Sequence, residues 1–105
     1  MIHGACIGGG LGIATACDFR LCDDRAKFGV PAAKLGQTYR LEETRRLVSL
    51  IGPALARYML LSARIIGAET ALARGLVNEC HPAESLADAV FALAEDVASV
   101  SRYSV

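Results

Sequence analysis

The chain has 105 residues, which bounds it at one domain. Its 11 basic and 11 acidic side chains give a formal net charge of zero with no basic cluster, which argues against nucleic acid or an anionic membrane as partner. It is 53% hydrophobic but has no run of about 18 apolar residues, so no membrane span is expected, and a small monomer could hardly hide that much apolar material.

Met1 to Ile7 reads as a short buried strand. It lacks the basic leader and long apolar stretch of a signal peptide. A strand that opens a chain with no turn before it suggests that preceding sequence is missing. Gly8-Gly9-Gly10 reads as a backbone-permissive turn. Leu11 to Cys17 predicts a small, tightly packed helix, which Asp18 stops or follows as a cap. Phe19 to Cys22 predicts a strand, Asp23-Asp24-Arg25 a turn, and Ala26 to Val30 another extended segment ended by Pro31. Gly36 to Arg40 reads as loop. Glu42 to Ile51 is an amphipathic helix stopped at Gly52-Pro53, and Pro53 suits the first turn of a second helix through Leu61. Ile66 starts a third helix, which runs through Ala73 and closes at Gly75. Leu76 to Cys80 predicts a strand and His81-Pro82 a turn. Glu84 to about Val100 carries the clearest helical period: Leu86, Val90, Leu93, Val97 and Val100 recur at steps of four, three, four and three.

Cys6, Cys17, Cys22 and Cys80 lack paired metal-ligand spacing. They are expected as free, mostly buried thiols rather than disulfides or metal ligands. No metal is expected, and the cytoplasm is the default location.

The strongest chemical signal is strand, Gly8-Gly9-Gly10, helix. Amides in a first helical turn lack intrahelical acceptors and sit at the positive end of the dipole. Glycines let a ligand approach such a corner, which can hold a phosphate or a developing oxyanion. The dinucleotide fingerprint fails, because its last small residue would fall on Ile13 or Thr15; the P-loop fails because no Gly-Lys-Ser/Thr occurs. An oxyanion site survives beside a plain packing turn.

The string His3-Gly4-Ala5-Cys6-Ile7-Gly8-Gly9-Gly10-Leu11-Gly12-Ile13-Ala14, followed by Cys17-Asp18-Phe19-Arg20, resembles the oxyanion segment of the enoyl-CoA hydratase/isomerase (crotonase) superfamily. Ala26-Lys27-Phe28-Gly29-Val30-Pro31, Leu35-Gly36, Arg46-Leu47, Ala63 to Ala71 and Gly75-Leu76-Val77-Asn78 continue the likeness at the family's spacings. The resemblance implies an α/β fold, part of a ββα spiral with C-terminal helices, in which residues 1–40 form an oxyanion-hole half and residues 41–105 a helical part. It implies a homo-oligomer, a trimer or hexamer, and a full length well over twice this one. It implies an acyl-CoA thioester as substrate, with no further cofactor. The polarising amide falls on Gly9, flanked by Gly8 and Gly10; Pro31, Ala32, Leu35 and Gly36 complete the substrate-contacting set.

The departures limit what reaction the likeness implies. The two glutamates of typical hydratases fall on Gly12 and Ala32, and the carboxylate of some isomerases and dehalogenases falls on Arg40. None of these can serve as the acid/base pair that hydration needs. A decarboxylase branch places a tyrosine near Tyr39, which makes Tyr39 a candidate polar group. Glu42 and Glu43 are expected to serve the helix dipole. His3 reads as a core or surface histidine, His81 has no visible partner, and Asp18 reads as a backbone hydrogen-bonder. The expected function is a hydratase/isomerase-like acyl-CoA enzyme, or a fragment of one, of lyase or isomerase type. The competing expectation is a non-catalytic relic or oligomerisation module.

Overall fold

The computed structural model describes residues 1–100 and 103–104. The fold is α/β, and its first three strands alternate between two small sheets, as the turns of a spiral do. β1 (Ala5–Ile7) leads into α1 (Gly9–Ala16), then β2 (Leu21–Asp23), β3 (Lys27–Gly29) and a short 3-10 turn at Pro31–Leu35. α2 (Leu41–Ser62), β4 (Ile66–Gly67), α3 (Ala68–Ala73), β5 (Glu79–His81) and α4 (Ala83–Ser99) follow. β3 is the centre of the first sheet: it runs parallel to β1, with Cys6 opposite Phe28, and antiparallel to β4, with Ile66 opposite Phe28. β2 and β5 pair in parallel as the second sheet. These pairings tie residues 1–40 to residues 41–105.

Phe28, Leu11, Leu47, Met59, Leu76 and Leu86 are the largest fully buried side chains. All but Leu86 belong to one cluster, in which α1 and the two halves of α2 close over the first sheet. Among the described residues no helix is long and apolar enough to cross a membrane.

Several boundaries differ from expectation, each for a local reason. The strand expected over 1–7 narrows to Ala5–Ile7 because Gly4 takes φ 63, and Ile2 bridges to Cys22 in the other sheet. The strand expected at Phe19–Cys22 starts later, at Leu21, since Arg20 turns its side chain inward to backbone carbonyls. Asp23 is not a turn residue but the buried end of β2. Ile66-Gly67 pairs with β3 instead of starting a helix, which begins at Ala68. β5 lies later than Leu76–Cys80 because Asn78 forms a corner with Arg20: its N–H donates to the Arg20 carbonyl and its Oδ1 accepts from the Arg20 N–H, both at 2.8 Å. The two helices expected around Gly52-Pro53 run as one element broken at Gly52, whose φ of 82 and ψ of 163 suit a glycine before proline. In α4 only Leu86 of the apolar stripe is fully buried, and Val100 lies beyond the helix.

Cys6 and Cys22 are buried, Cys80 is half-buried and Cys17 is exposed; all four are free thiols. Cys22 lies opposite Cys80 in the β2–β5 register. Burial first, and the adjoining Cys80 second, push the Cys22 thiol up.

Candidate active site

β1 gives way to α1 at Gly8, whose φ of 57 and ψ of −116 disfavour any side chain. Its N–H donates to the Gly29 carbonyl at 2.9 Å, which hangs the turn on β3. Its carbonyl accepts from the Gly12 N–H and from the Tyr39 hydroxyl, each at 3.0 Å. The peptide unit joining Gly8 to Gly9 is planar, so holding its carbonyl also aims its N–H. That Gly9 N–H opens α1 and has no acceptor within the helix. A Cβ built on Gly9 or Gly10 would meet nothing within 4 Å, so the backbone there stands open. The glycine run is therefore not wholly a turn: Gly8 makes the corner, while Gly9 and Gly10 are already helical.

In front of this corner lies a cleft of about 580 Å³. Gly8, Gly9, Pro31, Ala32, Leu35 and Tyr39, six of the eight site residues expected from sequence, line it together. Gly10 lines a separate recess beside Ile13 and Cys17, and Gly36 lines neither. Gly36 instead ends the 3-10 turn in the left-handed region at φ 66. Ile13, Val30, Gln37, Thr38, Arg40 and Glu43 complete the wall.

Glu42 and Glu43 separate sharply. Glu42 stays at the surface, 3.5 Å from Arg45. Glu43 faces the cleft, contrary to the expectation that both acids only serve the helix dipole. The signal that could have found it is helical period. Glu43 stands four residues before buried Leu47, hence on the inward face of α2. The Arg46 guanidinium adds a bridge between helices, donating to the Gly12 carbonyl and the Thr15 hydroxyl, each at 3.4 Å.

Burial, and then the charge of nearby Glu43, push the Tyr39 phenol up to about 12, with Arg46 opposing. The phenol thus stays protonated through the neutral range and remains a donor. An ultraviolet titration of folded protein is expected to show a phenolate step near pH 12 that Tyr39→Phe removes. Because the native phenol holds its proton more tightly than the unfolded one, its contribution to stability is present below about pH 10 and fades as pH rises toward 12. If Tyr39→Phe left the alkaline absorbance curve unchanged, the phenol would not be held as described.

The histidines both have partners outside the cleft. His3 Nδ1 lies 2.8 Å from Asp23 Oδ2, and His81 Nε2 lies 2.8 Å from Glu79 Oε1, a partner not visible in the sequence. Burial pushes the Asp23 carboxyl up, but hydrogen bonds from the Gly4 N–H, His3 and the Arg25 N–H outweigh it and hold the group below the usual range. Among the described residues no three His, Cys, Asp or Glu side chains come together as a metal site.

The family model described as enoyl-CoA hydratase/isomerase matches residues 1–105. The chain is 41% identical over 104 residues to an (E)-benzylidenesuccinyl-CoA hydratase of Thauera aromatica, covering 99% of this chain and 41% of that protein. It is 43% identical over 82 residues to a mitochondrial Delta(3,5)-Delta(2,4)-dienoyl-CoA isomerase of Dictyostelium discoideum, covering 78% of this chain and 28% of that one. A crystal structure of an enoyl-CoA hydratase/isomerase family protein from Hyphomonas neptunium superposes with a TM-score of 0.92 at 37% identity, over 96% of this chain and 38% of the other. The chain therefore spans less than half the length of these relatives.

Proposed function

This chain belongs to the enoyl-CoA hydratase/isomerase family, and from that premise we propose that it acts on acyl-CoA thioesters by stabilising an enolate at the Gly9 amide. As the α-carbon of a thioester loses a proton, negative charge gathers on the carbonyl oxygen. A fixed N–H directed at that oxygen stabilises the charged form more than the neutral one, by roughly 3 kcal/mol per donor. The observation that carries this reading is the Gly8–Gly9 peptide unit. It is held through its carbonyl by Gly12 and Tyr39, and its free N–H stands at a cleft with Pro31, Ala32 and Leu35 along its wall. Tyr39 is in this reading a positioning residue, since it acts on the oxygen only through the peptide it holds. Coenzyme A enters as part of the substrate, and the chemistry calls on no other cofactor.

The test is a titration of ¹⁵N-labelled full-length chain with butyryl-CoA. A saturable downfield shift of the Gly9 amide proton is expected, with smaller shifts at Gly8 and Ala32. Saturable binding that leaves the Gly9 amide unmoved would place the thioester elsewhere.

The same reading includes assembly as a homo-oligomer, a trimer or hexamer. Its support is the apolar surface left open in the single chain, where Leu61 is 80% and Ile13 72% exposed. Sedimentation velocity should show a trimer or hexamer boundary; a sharp monomer boundary at micromolar concentration would oppose assembly. The four free thiols support a reducing, cytoplasmic setting, which oxidised thiols in freshly lysed cells would contradict.

A further inference from the structure

Enolate formation needs a group that takes the proton, and the cleft offers few. Among the described lining residues, Pro31, Ala32 and Leu35 have no titratable atom, and Arg40 keeps its proton throughout the accessible range. Tyr39 already donates to the Gly8 carbonyl and holds its proton up to about pH 12. Glu43 is the one carboxylate on the wall.

The space that Glu43 occupies is set by another helix. A Cβ built on Gly12 of α1 would overlap the Glu43 carboxylate and lie 3.1 Å from its Cγ. The missing side chain on α1 is thus what lets an acid on α2 extend to the base of the glycine corner. Glu43 is close enough to Tyr39 for its charge to raise the phenol, and Tyr39 in turn holds the Gly8–Gly9 peptide. The carboxylate, the phenol and the proposed oxyanion donor form one connected group.

We propose, resting on the thioester reading above, that Glu43 is the catalytic base and acid of this site. Its carboxylate takes the proton from the α-carbon of the bound acyl thioester. The C–H bonding pair becomes the enolate C=C bond, and the carbonyl π pair moves onto the oxygen facing the Gly9 N–H. The resulting carboxylic acid then gives its proton back to carbon. Return to the α-carbon exchanges that hydrogen with solvent; delivery to the γ-carbon of a 3-enoyl thioester yields the 2-enoyl isomer. No oxidant, reductant or second substrate is consumed.

The experiment follows the α-CH₂ signal of butyryl-CoA by ¹H NMR in D₂O with the full chain, and measures butyryl-CoA binding in parallel by calorimetry. The wild-type chain is expected to bind and to exchange the α-protons. Glu43→Gln keeps the shape of the side chain but removes its basicity; it is expected to bind while exchange falls by about 10²-fold or more. Gly12→Glu combined with Glu43→Ala returns a carboxylate to the same volume from the other helix, and is expected to recover exchange that Glu43→Ala alone lacks. A merely structural role for Glu43 would not give that rescue. Exchange at the wild-type rate in Glu43→Gln overturns the assignment, as does wild-type binding without exchange. A swapped variant that binds without exchanging also counts against it. Failure of wild type to bind butyryl-CoA is a different result, because it removes the thioester reading itself. Melting curves of each variant identify any that have lost the fold.

Discussion

Gly9→Pro is expected to slow α-proton exchange of butyryl-CoA by about 10²- to 10³-fold while the chain keeps its fold. The substitution removes one N–H and little else. Gly9 is the first residue of α1, a position where proline is favoured because the amide there has no helical acceptor to lose. No atom lies within 4 Å of where a Cβ would stand, so the ring has room. Gly8, which precedes it, is extended in the mirror-image sense, a conformation a glycine before proline can keep. Gly9→Ala is the matched control: it adds a methyl group to open space and retains the donor, so its rate should stay near wild type. Circular dichroism of both variants separates a lost donor from a lost helix. Full exchange activity in a folded Gly9→Pro variant would show that the thioester oxygen does not use this amide.

Arg20→Ala is expected to have the largest effect on stability, about 3–5 kcal/mol. Arg20 is 6% exposed and has no carboxylate partner among the described residues. Its charge is instead spread over main-chain carbonyls: Nε donates to Leu76 at 2.7 Å, and Nη1 donates to Cys17 at 2.7 Å and to Ala14 at 3.4 Å. Ala14 and Cys17 offer the unpaired carbonyls at the end of α1, where a cation also opposes the negative end of the helix dipole. Leu76 belongs to the distant segment before β5. One guanidinium therefore joins the helix that presents Gly9 to the part of the chain that closes the second sheet. Each short bond from a charged donor contributes roughly 1.5–3 kcal/mol, and truncation leaves its acceptors partly unsatisfied. The melting temperature should fall by roughly 15 °C or more in a domain of this size. Arg20→Lys should recover only part of the loss, because a single ammonium cannot span carbonyls that lie in different directions. An unchanged melting curve for Arg20→Ala would mean that these carbonyls rehydrate freely.

What could be read from the sequence was mainly what is local. The passage from strand to glycine corner to helix, the break at Gly52-Pro53 and the stop at Gly75 each follow from backbone preferences of a few adjacent residues. The gathering of Gly8, Gly9, Pro31, Ala32, Leu35 and Tyr39 on one cleft came from the family likeness rather than from any period in the chain. What escaped is set by partners far away in sequence. Ile66 is extended because Phe28 lies opposite it, 38 residues earlier, and two residues of strand carry no period to detect. Asp23 looked like a turn residue because its burial depends on amides and a histidine around it that composition does not reveal. Glu43 looked like a helix-capping acid because its inward face is apparent only once Leu47 is known to be buried and Gly12 is known to lie across from it. The stripe on α4 was clear as a pattern, yet a pattern does not say how deeply a face is covered, and only Leu86 is fully buried.

The shared volume at Gly12 and Glu43 also constrains how this sequence could have arisen. Glutamates at both positions would force two carboxylates into one space, where one of them has to stay protonated or be expelled. Small residues at both would leave the cleft with no acid at all. The two positions are therefore not free to drift independently, and any substitution path that moves the acid from one helix to the other passes through a form that is either crowded or inactive. A lineage that has crossed that step does not easily return, because restoring a side chain at position 12 first evicts the one from position 43.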